Sequence, residues 1–269
     1  MTAGDLQQPL YRDVAAALRA SQPEGPITLL ASPNASAGIA NFGRFRAVGT
    51  LFWENAPGLR AAAEIFSADS DEEAFRRVAA RGITHLVLLS SANFLGEYHR
   101  LLRPGVDLAA ARRNFGHRLL AGEPAPGWLQ AIPYRAPPEL REAAAGIRLF
   151  RVRPDQNPVD HLFFAAVAQV AAGDLARAER TLEAALGDVP PARRPDLLAA
   201  AGSAFRDYGA DAAAARCWRH SLGLHYHAPA ALAYAWTLAT SREASVRDGL
   251  AALSLAEPLA RANPADAPA

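Results

Sequence analysis

The residues with the clearest chemical potential lie in one short stretch, Phe52-Trp53-Glu54-Asn55. A tryptophan ring can stack on a sugar while a carboxylate and an amide form hydrogen bonds with its hydroxyl groups. The stretch follows a predicted strand, and ligands of α/β sheets favour the carboxyl ends of strands. A second interpretation also fits, in which Trp53 is a core side chain and the two polar residues cap a helix predicted at 57–66.

Three more residues are candidate ligand-binding residues, and of these Asn34 is expected to line the same cleft. Asn34 follows the first predicted strand, where it either contacts a ligand or forms an Asx turn. Arg44 and Arg46 are either solvated surface residues or ligands of a phosphate or carboxylate, since a guanidinium pairs with both in a bidentate manner. The candidate ligand-binding set is Asn34, Arg44, Arg46, Trp53, Glu54 and Asn55.

The sequence predicts no catalytic residue, no cofactor and no metal site. His225-Tyr226-His227 has the spacing of two metal ligands on a strand, but it precedes Pro229 at a predicted helix end, with no carboxylate or cysteine beside it. The single cysteine, Cys217, is predicted to be a buried and unreactive thiol. The chain also has no glycine-rich phosphate loop and no Gly-x-Ser-x-Gly elbow.

Composition indicates two domains and excludes several classes of partner. The chain has 269 residues, and all 28 basic residues are arginine, which is typical of a GC-rich bacterial genome. Residues 1–154 carry 18 arginines and 14 acids, a net charge of +4, whereas residues 155–269 carry 10 and 13, a net charge of −3. Neither half has a concentrated basic patch, so we expect no nucleic-acid partner.

The N-terminal sequence lacks the basic and apolar regions of a signal peptide, and no stretch reaches the length of a membrane span. We therefore expect a cytoplasmic location if the chain stands alone. If the chain is attached to a membrane region, we expect it on the periplasmic or extracytoplasmic face.

Periodicity and turn residues predict an α/β domain over residues 1–153, with a small mixed or parallel sheet and flanking helices. Ser32-Pro33-Asn34 is predicted to break the chain. Ser70 and Glu73 form a capping box for a helix that ends at Gly82. The predicted helices are 11–20, 57–66, 71–81, much of 94–121, and 138–145; the predicted strands are 27–31, 47–53, 83–89, 129–132 and 147–152.

A repeat follows a polar linker at 154–158. The segment that begins at Ala172 aligns with the one that begins at Tyr208, an offset of 36 residues, and a third copy is centred on Ala252. A period near 34 residues with two helices per copy is typical of tetratricopeptide repeats, although unrelated alanine-rich helices are the alternative. We expect about three helix pairs over 159–264 and a disordered tail at 265–269. Alanine is predicted to lie at the helix crossings at positions 178 and 214, with Ala213 facing away.

Residues 27–91 resemble the soluble extracytoplasmic domain that follows the membrane spans of some multi-pass bacterial glycosyltransferase-like proteins. These proteins are relatives of oligosaccharyltransferase and protein-mannosyltransferase catalytic subunits. The matching segments are Ile27–Ala31, Gly43–Arg46, Trp53–Leu59 and 71–88. Residues 231–260 resemble a bacterial tetratricopeptide variant that is often fused to such enzymes.

The resemblance implies a non-catalytic binding and assembly module, because that family carries its catalytic carboxylates and metal ligands between membrane spans. Trp53-Glu54-Asn55 matches only part of the Trp-Trp-Asp motif of oligosaccharyltransferases. The implied partners are a lipid-linked sugar or glycan acceptor at the α/β domain and a protein at the repeat, with membrane contact only through segments absent from this chain. A stand-alone cytoplasmic tetratricopeptide adaptor with a structural α/β domain is one alternative, and a small soluble transferase is another.

Overall fold

The chain is described by a computed structural model that covers residues 3–89, 94–105 and 108–262. It forms two compact units, Met1–Asn157 and Pro158–Ala269. The first unit contains a sheet and the second is helical. The tail predicted at 265–269 lies outside the described residues.

The first unit alternates helices with short strands. Its elements are α1 Ala3–Ser21, β1 Thr28–Leu30, α2 Pro33–Gly43, β2 Arg46–Val48, α3 Ala56–Phe66, α4 Asp71–Ala80, β3 His85–Leu88, α5 Phe94–Leu102, α6 Leu108–Ala111, α7 Phe115–Ala121, β4 Leu129–Ile132 and β5 Arg148–Val152. Two 3-10 turns, Trp53–Asn55 and Pro138–Leu140, join them.

The five strands form one mixed sheet in the order β2-β1-β3-β5-β4. Strands β2, β1 and β3 are parallel, whereas β5 is antiparallel to β3 and β4 is antiparallel to β5. The predicted α/β class with a small mixed sheet is therefore confirmed.

Side chains alternate between the two faces of the sheet, as the pleat of a strand requires. Leu29 and Val87 belong to a core cluster that includes residues of α1 and α2. Leu30 and Leu86 belong to a second cluster that includes residues of α3, α4, α5 and α7. The sheet is thus buried on both faces between two helical layers, which explains the consecutive apolar residues Leu29-Leu30 and Leu86-Val87-Leu88 in its central strands.

The predicted start of α4 is confirmed with one change of partner. The Ser70 hydroxyl accepts a hydrogen bond from the backbone N–H of Glu73 at 3.1 Å. The Glu73 carboxylate accepts from the backbone N–H of Asp69 at 3.1 Å rather than from that of Ser70. Gly82, at φ 58°, follows the helix, a backbone conformation that favours glycine.

Three local predictions for the first unit are wrong. Pro33 does not break the chain but begins α2, since the first helical position needs no backbone N–H donor. The helix predicted at 138–145 is a single 3-10 turn followed by turns. The second strand ends at Val48 instead of Trp53, because Gly49 turns the chain at φ 78°. A Cβ at Gly49 would lie 2.6 Å from the Ala62 Cβ, so glycine permits this turn to approach α3.

Over the described residues 158–262, the second unit contains six α-helices: α8 Pro158–Ala171, α9 Leu175–Gly187, α10 Arg194–Asp207, α11 Asp211–Leu224, α12 Ala228–Thr240 and α13 Gly249–Ala262. A 3-10 turn, Pro191–Arg193, precedes α10. Its most extensive contacts join α8 with α9, α10 with α11, and α12 with α13. The helix that begins at Pro158 includes a residue assigned by sequence to the linker. The predicted all-helical second part is confirmed, and its assignment to the tetratricopeptide class stays a prediction.

Small residues allow the helices of this unit to pack closely. Ala178 and Ala214 are fully buried, as expected at helix crossings. Gly202 of α10 faces Trp218 of α11, where a Cβ would lie 2.7 Å from the indole nitrogen. The prediction that Ala213 faces away is wrong, because only 1% of it is exposed. Helix α11 packs against both α10 and α12, so its buried arc is wider than one crossing requires.

Candidate functional site

The structure separates the predicted site residues between the two ends of β2. Arg44 ends α2 in the left-handed conformation, at φ 52°. Arg46 is the first residue of β2, opposite Thr28. Both arginine side chains are exposed. Asn34 and Asn55 instead follow the carboxyl ends of the parallel strands β1 and β2, so the six residues do not form one cluster.

At the carboxyl end of β2, the structure gives polar side chains little freedom to bind a ligand. Asn55 donates a hydrogen bond from Nδ2 to the Thr50 hydroxyl at 2.8 Å. Its amide also packs against Gly58, where a Cβ would lie 2.2 Å from Oδ1. Asn55 stands at the N-cap position of α3, but its side chain makes no capping hydrogen bond. The capping interpretation is therefore wrong for Asn55, whose amide holds the preceding turn.

The other members of the set are less constrained. Asn34 lies exposed in the first turn of α2, and Glu54 lies exposed in the 3-10 turn before α3. The Trp53 side chain lies outside the described part of the structure, so its stacking on a sugar stays a prediction. Leu51 and Phe52, directly before it, are exposed.

Ser36 is a polar residue of this edge that the sequence analysis did not identify. Its fully buried hydroxyl accepts a hydrogen bond from the Ala31 N–H at 3.1 Å and donates one to the Val48 carbonyl at 3.2 Å. These bonds tie together the carboxyl ends of β1 and β2. A serine on the apolar face of α2, between Ala35 and Ile39, is the sequence signal that could have identified it.

A groove lined by polar and aromatic side chains lies in the second unit. This groove of about 430 Å³, here called the Trp236 groove, lies beside the turn between α10 and α11 and the end of α12. It is lined by Arg206, Gly209, Asp211, Trp236, Thr237, Thr240, Ser241, Arg242 and Glu243.

Two large apolar side chains stand one helical turn apart on α12. Trp236 lines the groove, and Leu232 lies next to it. Trp236 is 63% exposed and Leu232 is 59% exposed, while Ala231, Ala235 and Leu238 bury the opposite side of α12. A helix that is apolar on both sides needs a second surface to cover it. Tryptophan is also among the residues that contribute most energy at protein interfaces. The exposure of Trp236 was not predicted, because the repeat pattern identifies α12 only as one helix of a pair.

Hydrogen bonds hold the polar rim of the Trp236 groove in place. The Ser241 hydroxyl donates to the Asp211 carboxylate at 2.6 Å and accepts from the Glu243 backbone N–H at 3.1 Å. The Arg206 guanidinium lies 5.5 Å from the centre of the buried Trp218 ring. The loop after α12 is thus fastened to the start of α11, and the groove is formed before any partner binds.

Reactive and metal-binding groups are few in the described residues. Cys217 is buried, and burial raises the pKa of its thiol to about 12, so the thiolate is scarce at neutral pH. His227 Nε2 lies 3.2 Å from the Ser221 hydroxyl. Over residues 3–89, 94–105 and 108–262, no group of three or more histidine, cysteine or acidic side chains could hold a metal ion.

Within the same ranges, no helix is both long enough and apolar enough to span a bilayer.

No family model and no curated protein matches the chain. Among solved structures, the chain is similar to the C-terminal globular domain of oligosaccharyltransferase from Archaeoglobus fulgidus. The two share 13% sequence identity with a TM-score of 0.40, over 57% of this chain and 98% of that one. A likeness at this level does not establish a shared fold.

Proposed function

We propose that this chain is a binding and assembly module whose helical unit holds a protein partner in the Trp236 groove. The observation that carries the proposal is the exposure of Trp236 within a formed groove. Removing a tryptophan of this kind from water supplies a large share of the binding energy of an interface, typically about 2 kcal/mol or more.

The groove favours a partner segment of mixed character. Leu232 and Trp236 offer an apolar surface for one inserted side chain. Thr240, Arg242 and Glu243 offer hydrogen-bond donors and acceptors beside it. Because the rim carries charges of both signs, the groove suits a protein segment better than a uniformly charged polymer.

The tetratricopeptide-like assignment supports the same function. Paired helices with alanine at positions 178 and 214 agree with the repeat pattern of the sequence. Solenoids of such pairs present extended surfaces that bind protein segments. The proposed role of the second unit is therefore partner binding.

For the α/β unit we propose a supporting role within a larger glycosyltransferase-like protein, at its extracytoplasmic face. The support is the resemblance of residues 27–91 to the domain that follows the membrane spans of such proteins. In this proposal the unit contributes no catalytic group, and any membrane contact comes from segments absent from this chain. A lipid-linked sugar or glycan acceptor is its expected ligand.

The binding role is tested with peptides selected against the full chain from a random display library. We expect the selected peptides to share an apolar residue and to lose about 30-fold in affinity with Trp236→Ala, the equivalent of about 2 kcal/mol. Leu175→Ala, at an exposed leucine of α9 outside the groove, is the matched control and should leave affinity unchanged. Equal losses for the two variants, or no selectable peptide, would contradict the proposal.

The non-catalytic role needs a separate test. The purified chain, incubated with lipid-linked oligosaccharide donors and acceptor peptides, should transfer no sugar. Transfer above the rate of a protein-free control would overturn the module interpretation.

A further inference from the structure

A second groove lies in the α/β unit, away from the residues predicted from sequence. It has a volume of about 410 Å³ and is here called the Trp128 groove. It is lined by Asp71, Glu72, Phe75, Arg76, Pro126, Gly127 and Trp128. One wall is the outer side of α4, and the other is the loop that leads into β4.

Aromatic rings give this groove an apolar floor. The Trp128 ring stacks on Phe115, with centroids 5.6 Å apart and planes 22° apart. Phe75 lies 5.3 Å from Trp128 and is tilted by 44°. Trp128 and Phe75 are half-buried, so packing fixes the rings while part of each stays accessible.

The loop that carries Trp128 is fixed by hydrogen bonds through its backbone. The Gly127 carbonyl accepts from Nε2 of Gln156 at 2.6 Å, and the Trp128 carbonyl accepts from the Arg153 N–H at 2.8 Å. A wall fixed in this way loses little conformational entropy when a ligand binds.

Polar groups of both kinds surround the aromatic floor. The Trp128 indole N–H is shielded from solvent, so it is not among the groups that face the groove. On the facing wall, Glu72 supplies an exposed carboxylate and Arg76 an exposed guanidinium.

The charges at the groove balance. Asp71 forms an ion pair with Arg118, and Glu72 stands one helical turn from Arg76. Two carboxylates and two guanidinium groups leave no net charge to attract a phosphate or a strongly basic peptide. The groove instead suits an uncharged molecule with an apolar face and a rim of groups that both donate and accept hydrogen bonds.

We propose that the Trp128 groove is a binding site for a neutral oligosaccharide. The C–H face of a pyranose ring packs on Trp128 and Phe75, and its hydroxyl groups bond to Glu72 and Arg76. This inference rests on the proposed sugar-binding role of the α/β unit. Its residues do not line the Trp236 groove, so a failure here leaves the proposed protein contact of the helical unit unaffected.

The test is calorimetric titration of the full chain with neutral tetrasaccharides of glucose, mannose and N-acetylglucosamine. We expect at least one to bind in the millimolar range or tighter. Arg76→Ala and Glu72→Gln should each weaken binding about 10-fold, the usual effect of losing a hydrogen bond to a charged group. Trp128→Phe, which keeps an aromatic ring but offers a smaller stacking surface, should also weaken it.

Arg81→Ala, at an exposed arginine directly after α4, is the matched control and should bind sugar like the parent chain. Because Glu72 and Arg76 are exposed, their replacement leaves the fold intact and a change in affinity reports on the site. Trp236→Ala should leave sugar binding unchanged. The proposal is wrong if no tetrasaccharide binds, if Arg76→Ala and Arg81→Ala behave alike, or if an uncharged tetrapeptide competes equally.

Discussion

The two units of this protein differ in the side chains that fill their cores. The α/β unit buries large apolar residues on both faces of the sheet together with polar side chains such as Ser36, His85 and His99, while Leu51, Phe52 and Leu101 remain exposed. The helical unit has many alanines in its core and exposes large apolar residues, among them Leu232 and Trp236. Small core residues let helices approach closely, and on α12 Leu232 and Trp236 remain on the surface while Leu238 is buried. Of the exposed apolar residues, Trp236 lines a groove, which is why the proposed protein contact is placed there.

The largest expected effect contrasts two tryptophans of the helical unit. Trp218 is fully buried against Gly202, whereas Trp236 is 63% exposed. Trp218→Ala should lower the free energy of unfolding by about 3–5 kcal/mol. Trp236→Ala should change it by less than about 0.5 kcal/mol, as exposed positions usually do. Urea denaturation of both variants measures this difference, and a similar loss for both would remove the basis for treating Trp236 as an interaction residue.

The next effect concerns a buried polar group of the α/β unit. His85 is fully buried, with Nδ1 2.9 Å from the Thr84 hydroxyl and Nε2 3.3 Å from the Ser21 hydroxyl. Burial first, and then the charges of Arg151 and Arg19, lowers the pKa of His85 from 6.5 to about 4. The folded state therefore favours neutral His85, while the unfolded chain takes up a proton below pH 6.5.

Stability of the α/β unit should consequently fall as the pH drops from 6.5 to 4, by up to about 3 kcal/mol from this residue. His85→Gln removes the titration, so its pH dependence should be flatter over that interval. His117, whose pKa burial also lowers, acts in the same direction in both proteins and cancels in the comparison. His220→Gln, at an exposed histidine, is the control. Parallel pH profiles for the parent and His85→Gln would refute the assignment.

A smaller effect tests the close packing of the helical unit. Ala178 is fully buried on α9, whereas Ala184 of the same helix is exposed. Ala178→Leu should overpack the crossing and cost about 1–3 kcal/mol. Ala184→Leu should be nearly neutral. Thermal unfolding distinguishes the two, and equal melting temperatures would show that the helices do not approach closely at position 178.

The smallest effect tests the predicted site at the carboxyl end of β2. Asn55→Ala removes the hydrogen bond to Thr50 and should cost about 1 kcal/mol. Asn34→Ala, at an exposed residue near the same edge, should have no measurable effect on stability. If neither substitution lowers stability, Asn55 has no structural role, and it returns to the set of candidate ligand-binding residues.

Local signals in the sequence predicted much of the fold. The Ser70 cap and the strand at 129–132 each depend on neighbouring residues, so they could be recognised one by one. The break predicted at Pro33 was wrong because proline is common both after the end of a helix and at its first position. The burial of Ala213 could not be predicted, because it depends on α11 having neighbours on two sides.

The candidate sites were harder to predict than the fold. Arg44 and Arg46 lie at the start of β2 and Asn55 follows its end, so the strand itself separates them, as the strand predicted at 47–53 already implied. Both grooves join residues that are distant in sequence: Phe75 with Trp128, and Arg206 with Trp236. Only packing brings such residues together.

Site-specific photo-cross-linking in cells that naturally express the chain tests the central claim most directly. A photoreactive residue at Thr240, exposed within the Trp236 groove, should yield a discrete adduct with one protein. The adduct should disappear when Trp236→Ala is added, and the same probe at exposed Ala184 should yield none. Equal adducts at positions 240 and 184, or an adduct that persists with Trp236→Ala, would contradict the claim that this groove binds a protein partner.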